Sequence, residues 1–130
     1  MDTPAKTAGG RVAPLTVAEA QRAVDASILA LGGYWPPLAN LARLFEECGE
    51  LARVVNQQHG PKQMKAGEAA LAAREELGDA LYVLLVLANS LQVDAEEALR
   101  EALDKVARRI APPETPKPQE PGTPPRETDL

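Results

Sequence analysis

The distribution of proline constrains the fold of this chain more than any other feature. Seven of the twelve prolines fall in the last stretch, from Ala111 to Leu130. Because proline lacks a backbone N–H and fixes φ, such a density excludes both helix and strand there. No preceding segment alternates apolar and polar residues for long enough to form a strand. We therefore predict one all-α domain at 15–110, between a disordered segment at 1–14 and a proline-rich disordered tail at 111–130.

Start and stop signals divide the predicted domain into four helices. Thr16 and Glu19 form a capping box at the first helix, which runs to Gly32-Gly33, a good C-terminal stop. Asp94 begins the last helix, with Glu97 as its capping partner. The second and third helices are predicted at about 37–58 and 67–91, and the fourth ends before Pro112.

Composition narrows the class of protein. Hydrophobic residues make up 45% of the 130 residues but aromatic residues only 3%, which favours helices packed through small side chains. The net charge of −5 argues against a nucleic-acid partner. The single cysteine, Cys48, excludes an internal disulfide and indicates a reducing compartment. The apolar run at 80–88 is shorter than the ~20 residues that a bilayer requires. We expect a cytoplasmic protein without a membrane partner.

Acidic residues crowd beside the predicted core. Glu46, Glu47 and Glu50 share one sector of the second helix, and Glu76 and Asp79 are neighbours on the third. The predicted core stripe of the second helix comprises Leu38, Leu41, Phe45, Cys48, Ala52 and Val55. The acids thus flank this stripe rather than oppose it.

Two interpretations of these acids remain open at this point. Two ionised carboxylates ~4 Å apart repel by about 4 kcal/mol at an effective dielectric near 20, so four or five in one cleft require a cation. All-oxygen ligation favours Mg²⁺ first and Mn²⁺ next. The alternative is a solvated face, because glutamate-rich helices are common.

The two acidic segments resemble a known family. EECGEL at 46–51 and EELGDALYVLLVLANSL at 75–91 are similar to the MazG-like nucleoside triphosphate pyrophosphohydrolases, whose signature is EExxE, a spacer, then ExxD. The similarity covers about 32–109 and is strongest to the short, single-domain branch. It implies an all-α bundle that assembles into dimers or tetramers. It also implies cleavage of a nucleoside triphosphate between the α and β phosphates, as nucleotide house-cleaning.

The resemblance also implies roles for the acids. By residue matching, Mg²⁺ would be held by four ligands: Glu47, Glu50, Glu76 and Asp79. Glu46 would bind a further metal or orient the attacking water, so we give it the catalytic position. Mn²⁺ is a possible substitute.

Five other residues are candidates for substrate contacts. Lys105 and Arg109 border the apolar stripe of the fourth helix and could face the phosphates, although compensation of the helix dipole also explains them. Many family members carry an Asn and an aromatic in this region, and this chain does not. Trp35 could stack on a base or cap the bundle, and Asn40 or Tyr82 could contact a base or ribose. For Asn89 we expect a structural hydrogen bond.

Three other functions are weighed against this one. Phosphoribosyl-ATP pyrophosphohydrolase is an alternative within the fold, and a non-catalytic helical interaction module is another. The complete set of five acids argues against the module. A di-iron carboxylate bundle would need Glu-x-x-His motifs, and the only histidine, His59, lies in a predicted loop, so we reject it.

Overall fold

Four α-helices make up the described part of the chain, residues 13–62 and 64–112 of the computed structural model, and no strand occurs within those ranges. The helices are α1 (Val17–Ala30), α2 (Pro37–His59), α3 (Ala66–Ser90) and α4 (Ala95–Ile110). The predicted bounds of the second and third helices are correct to within one residue. The predictions of disorder at 1–14 and 111–130 concern segments that lie almost entirely outside the described residues.

The ends of α1 and α4 follow local hydrogen bonding. The Glu19 N–H donates to Oγ1 of Thr16 at 3.1 Å, and Oε2 of Glu19 accepts from the Thr16 N–H at 2.8 Å, so the predicted capping box is present. Gly32 and Gly33 have φ of 109° and 102°, a left-handed conformation that glycine adopts without steric cost and that ends the helix. Asp94 caps α4 by accepting from the Glu97 N–H at 3.0 Å.

α3 is the central helix of the bundle, as its nearly all-round apolar sequence predicts. It packs against α2 on one side and α1 on the other, whereas α4 packs chiefly against α1. The buried apolar side chains are small: Val24, Val54, Ala69, Ala80, Val83 and Val86. They place the core between α2, α3 and α1.

Hydrogen bonds from polar side chains of α3, one to a side chain and one to the backbone of α1, join the two helices. The Ser27 hydroxyl donates to the Val24 carbonyl at 2.7 Å, so Tyr82 Oη must be the donor in its 2.6 Å contact with Ser27. The Asn89 amide donates to the Gln21 carbonyl at 3.0 Å, which confirms the structural hydrogen bond expected for Asn89. These bonds fix α1 on the side of α3 that faces away from α2.

The predicted core stripe of α2 is wrong for the single chain. All six of its residues are exposed, Phe45 to 69%, and one of them is the free Cys48, which is therefore not the small core residue that the stripe predicted. The face turned to α3 lies about 100° away and carries Asn40, Leu44, Glu47, Leu51 and Val54. Asn40 and Glu47 are polar and interrupt this inner face. For that reason the apolar periodicity favoured the outer face of α2.

Among the described residues, no single helix is long and apolar enough to cross a bilayer. α3 and α4 reach such a length and composition only together, and their axes are bent by 107° at the break between them.

Candidate metal centre

Three carboxylates from two helices converge on the inner side of the bundle. Glu47 of α2 and Glu76 and Asp79 of α3 each offer an oxygen, and the three oxygens lie within 4.8 Å of one another. The side chains of Glu47 and Glu76 are only 17% and 21% exposed, whereas Asp79 is exposed. The structure therefore brings together three of the four predicted metal ligands.

Helical spacing explains why these acids meet. Glu47 falls four and seven residues from Leu51 and Val54, so it shares the α2 face that packs on α3. Glu76 likewise shares a face of α3 with the buried Ala80 and Val83. Because the two packed faces each carry one glutamate, the contact between the helices places the carboxylates side by side.

The donor set fits a hard divalent cation. Carboxylate oxygens are the ligands that Mg²⁺ and Mn²⁺ prefer. Oxygens on opposite sides of one Mg²⁺ lie about 4.2 Å apart, because each Mg–O distance is about 2.1 Å. Small side-chain rotations would bring three oxygens that now lie within 4.8 Å onto one ion.

Two other predicted acids lie apart from the three. Glu50 Oε2 accepts from Nε and Nη2 of Arg53 at 2.9 and 2.8 Å, so this carboxylate is engaged by a cation of its own helix. Glu46 is exposed and is not one of the three converging acids. The metal role of Glu50 and the catalytic role of Glu46 stay predictions.

Sequence reasoning assigned no role to two arginines that flank the cluster. Arg43 Nε lies 3.7 Å from Oε1 of Glu47, and Arg53 Nη2 lies 3.8 Å from Oε1 of Glu76. The Arg43 guanidinium also stands 5.7 Å from the centroid of the Trp35 ring, within cation–π range. The sequence did carry a signal for these ion pairs. Arg43 and Glu47 are four residues apart and Glu50 and Arg53 are three apart, so each pair lies on one side of the helix.

Three of the predicted substrate contacts share one small pocket. Trp35, Asn40 and Tyr82 line a cavity of about 100 Å³ together with Arg43. Asn40 is 3% exposed, and its amide donates to the Trp35 carbonyl at 3.0 Å. Arg43 connects this pocket to the acidic cluster through Glu47.

The two basic candidates on α4 do not reach the acids of the same chain. Lys105 and Arg109 are exposed, and within the described residues neither forms an ion pair with Glu47, Glu76 or Asp79. α4 leaves the end of α3 at 107° and packs chiefly on α1. Asp79 lies roughly 16 Å from the C-terminal end of α3, because a helix rises about 1.5 Å per residue. The point at which α4 leaves α3 is therefore well away from the acidic cluster.

A tyrosine–carboxyl contact fixes the connector in front of α2. Tyr34 Oη donates to Oδ1 of Asp25 at 2.6 Å. Burial first, and then this hydrogen bond to Asp25, raise the pKa of Tyr34 above its usual value. The connector that carries Trp35 is thus tied to α1.

The fold and the acidic cluster define an all-α bundle with a candidate divalent-metal centre. A model of the MazG nucleotide pyrophosphohydrolase domain matches residues 36–111, which include all five acids discussed above. The chain belongs to the MazG nucleotide pyrophosphohydrolase family.

Solved structures and a curated relative support this assignment. The Bacillus-conserved MazG protein, described as a nucleotide pyrophosphohydrolase, is 41% identical, with a TM-score of 0.62 over 72% of this chain and 90% of its own. YpjD from Bacillus subtilis, solved as a candidate pyrophosphatase, is 43% identical, with a TM-score of 0.64 over 75% of this chain and 99% of its own. The uncharacterised protein YpjD of Bacillus subtilis strain 168 is 51% identical over 77 residues, which are 59% of this chain and 69% of that protein.

Proposed function

We propose that the chain hydrolyses nucleoside or deoxynucleoside triphosphates between the α and β phosphates, with Mg²⁺ as cofactor. The products are a nucleoside monophosphate and pyrophosphate, and the role is clearance of unwanted nucleotides in the cytoplasm. The observation that carries the proposal is the convergence of Glu47, Glu76 and Asp79 within 4.8 Å in a member of this family. The exposed, free Cys48 suits a reducing compartment.

The acids have distinct tasks in this proposal. Glu47, Glu76 and Asp79 hold the cation, and Glu50 joins them when the cation binds. Bound Mg²⁺ supplies charge neutralisation at the phosphate oxygens and a more acidic water. Glu46 stands outside the three converging acids and orients the attacking water or accepts its proton.

Arg43 is placed to link the metal ligands with the nucleoside. Its contacts with Glu47 and the Trp35 ring leave it between the acidic cluster and the pocket of Trp35, Asn40 and Tyr82. We infer that the triphosphate lies along Arg43 and that Trp35, which is 58% exposed, stacks on the base. The cavity of about 100 Å³ would admit only the edge of a base.

A nucleotide panel with Mg²⁺ tests the activity. Products are scored separately as pyrophosphate and orthophosphate, and phosphoribosyl-ATP is included to test the alternative substrate. We expect pyrophosphate from at least one common or modified (d)NTP, and loss of more than 100-fold in kcat/KM for Glu76→Gln. Glu97→Gln, on α4, is the matched control and should retain activity. Orthophosphate as the sole product would contradict the proposal, and no turnover of any nucleotide would favour the non-catalytic module.

We also propose that the active form is a homodimer or homotetramer. Large apolar side chains are exposed on all four helices, including Leu29 on α1, Leu38 and Phe45 on α2, Leu81 on α3, and Leu103 and Ile110 on α4. A largely apolar groove of about 930 Å³ also opens between α1, α3 and α4. Exposed apolar surface of this extent is typical of subunit interfaces.

A second copy would also explain Lys105 and Arg109. Because α4 does not bring them to the acids of its own chain, their proposed phosphate contacts require the site of another subunit. Mixing two inactive variants tests this arrangement: Glu76→Gln lacks a metal ligand, and Lys105→Ala combined with Arg109→Ala lacks the basic pair. Hybrid dimers contain one intact site, so activity should return on mixing. Failure to recover activity, with hybrids confirmed by mass spectrometry, would contradict a shared site.

A further inference from the structure

Arg53 stands between two of the acids assigned to the metal site. Its Nη2 lies 2.8 Å from Oε2 of Glu50 and 3.8 Å from Oε1 of Glu76. Its Nε donates to the same Glu50 oxygen at 2.9 Å. One guanidinium therefore joins a carboxylate of α2 to a carboxylate of α3, at the edge of the cluster that Glu76 shares with Glu47 and Asp79.

This contact engages the oxygens that a metal ion would need. Glu50 is the one predicted metal ligand that lies outside the group of three converging carboxylates, and it is also the acid that Arg53 binds most closely. A guanidinium and a divalent cation compete for the same oxygens and repel each other at short range. Arg53 and the metal therefore cannot both be fully engaged with Glu50 and Glu76.

We propose that Arg53 is the counter-cation of the metal-free site and that Glu50 exchanges Arg53 for the metal ion on binding. This inference rests on the metal site proposed above. Arg53 is a positioning residue: without metal it limits repulsion among the crowded carboxylates and bridges Glu50 to Glu76. The same contacts make metal binding weaker than the four acids alone would give.

Isothermal titration of the full chain with Mg²⁺, without nucleotide, tests the exchange. Arg53→Met removes the charge and keeps much of the aliphatic side chain. We expect its Kd for Mg²⁺ to fall about fivefold, because one short-range repulsion and one competitor are lost. Its melting temperature without metal should also fall, because the carboxylates lose their counter-cation. Arg53→Lys keeps the charge and should bind Mg²⁺ within about twofold of wild type.

Arg100→Met is the matched control. Arg100 pairs with Glu96 at 2.7 Å on α4, so its loss also removes an arginine–glutamate pair of one helix, but far from the cluster. Its Kd for Mg²⁺ should equal that of wild type. An unchanged or larger Kd for Arg53→Met, with wild type binding Mg²⁺, would overturn the role of Arg53 and leave the metal site standing. Absence of Mg²⁺ binding by wild type would overturn both.

A measurement on the wild type keeps the test independent of how the variant folds. The side-chain Nε–H resonance of Arg53, assigned by comparison with Arg53→Lys, reports its hydrogen bond to Glu50. Addition of Mg²⁺ should shift this resonance toward that of a solvated arginine, while the Arg100 resonance stays fixed. An Arg53 resonance that does not move at saturating Mg²⁺ would refute the exchange.

Discussion

Asn40 is the buried polar side chain on the inner face of α2. Its amide donates to the Trp35 carbonyl at 3.0 Å and lies 3.5 Å from Oγ of Ser90 at the end of α3. One side chain therefore holds the connector, α2 and α3 in register. The hydrogen-bond donor, rather than the size of the residue, is what this position requires.

The change Asn40→Asp keeps the shape and removes that donor. It places a carboxylate against the Trp35 carbonyl, so we expect the free energy of unfolding in urea to fall by about 2 kcal/mol or more. Asn56→Asp, at an exposed position of the same helix, is the control and should stay within about 0.5 kcal/mol of wild type. Equal stabilities of the two variants would show that the hydrogen bonds of the Asn40 amide contribute little to the free energy of unfolding.

Tyr34 gives the protein an alkaline pH dependence. Its pKa is raised in the folded state by burial and then by the hydrogen bond to Asp25, so the unfolded chain loses the phenolic proton first. This contribution to stability is complete below the unfolded pKa of about 10 and is lost as the pH rises through the folded pKa. Urea unfolding at pH 9 to 11 should show a steeper loss for wild type than for Tyr34→Phe. Parallel curves for the two proteins would contradict this assignment.

At the scale of the helix, α2 presents two different faces. The inner face carries Asn40, Glu47 and the buried Val54 to α3, and the outer face presents the apolar stripe that includes Phe45. The caps at Thr16 and Asp94 could be predicted because each depends on residues three apart in sequence. The inner face could not, because Asn40 and Glu47 interrupt its apolar positions, whereas the outer stripe that the periodicity favours is unbroken.

Phe45→Asp tests the outer face of α2. The residue is 69% exposed in the single chain, so a charge there should not disturb the fold. At an interface between copies the buried carboxylate would lack a partner, and we expect the sedimentation velocity profile to shift toward the monomer. Arg22→Glu, which changes charge on an exposed position of α1, should leave the profile unchanged. An oligomer that persists in Phe45→Asp would place the interface elsewhere.

At the scale of the whole molecule, the proposed metal ligands come from two different helices. Glu47 lies on α2 and Glu76 on α3, so a cation between them would link the helices whose packing forms most of the core. The sequence could supply the identity of these acids because ExxD and EExxE are local patterns. It could not supply the distance of Lys105 from them, because that depends on the angle between α3 and α4.

Mg²⁺ should therefore stabilise the folded chain. At free Mg²⁺ 100 times its Kd we expect about 2.7 kcal/mol, which corresponds to a rise of roughly 10 °C or more in melting temperature. Glu76→Gln should lose most of this rise, and chelation with EDTA should reverse it in the wild type. Calorimetry of both proteins with and without metal measures the effect. An equal rise in Glu76→Gln would place Mg²⁺ outside this cluster.

The position of the only tryptophan gives the native protein an internal optical probe. The Trp35 ring is within 5.7 Å of the Arg43 guanidinium, and Arg43 in turn contacts Glu47 at 3.7 Å. A nearby cation alters indole emission, so any event that draws Glu47 away from Arg43 changes the fluorescence of the unlabelled chain. We expect metal binding at the acidic cluster, and occupation of the aromatic pocket, to change this one signal in the unlabelled protein.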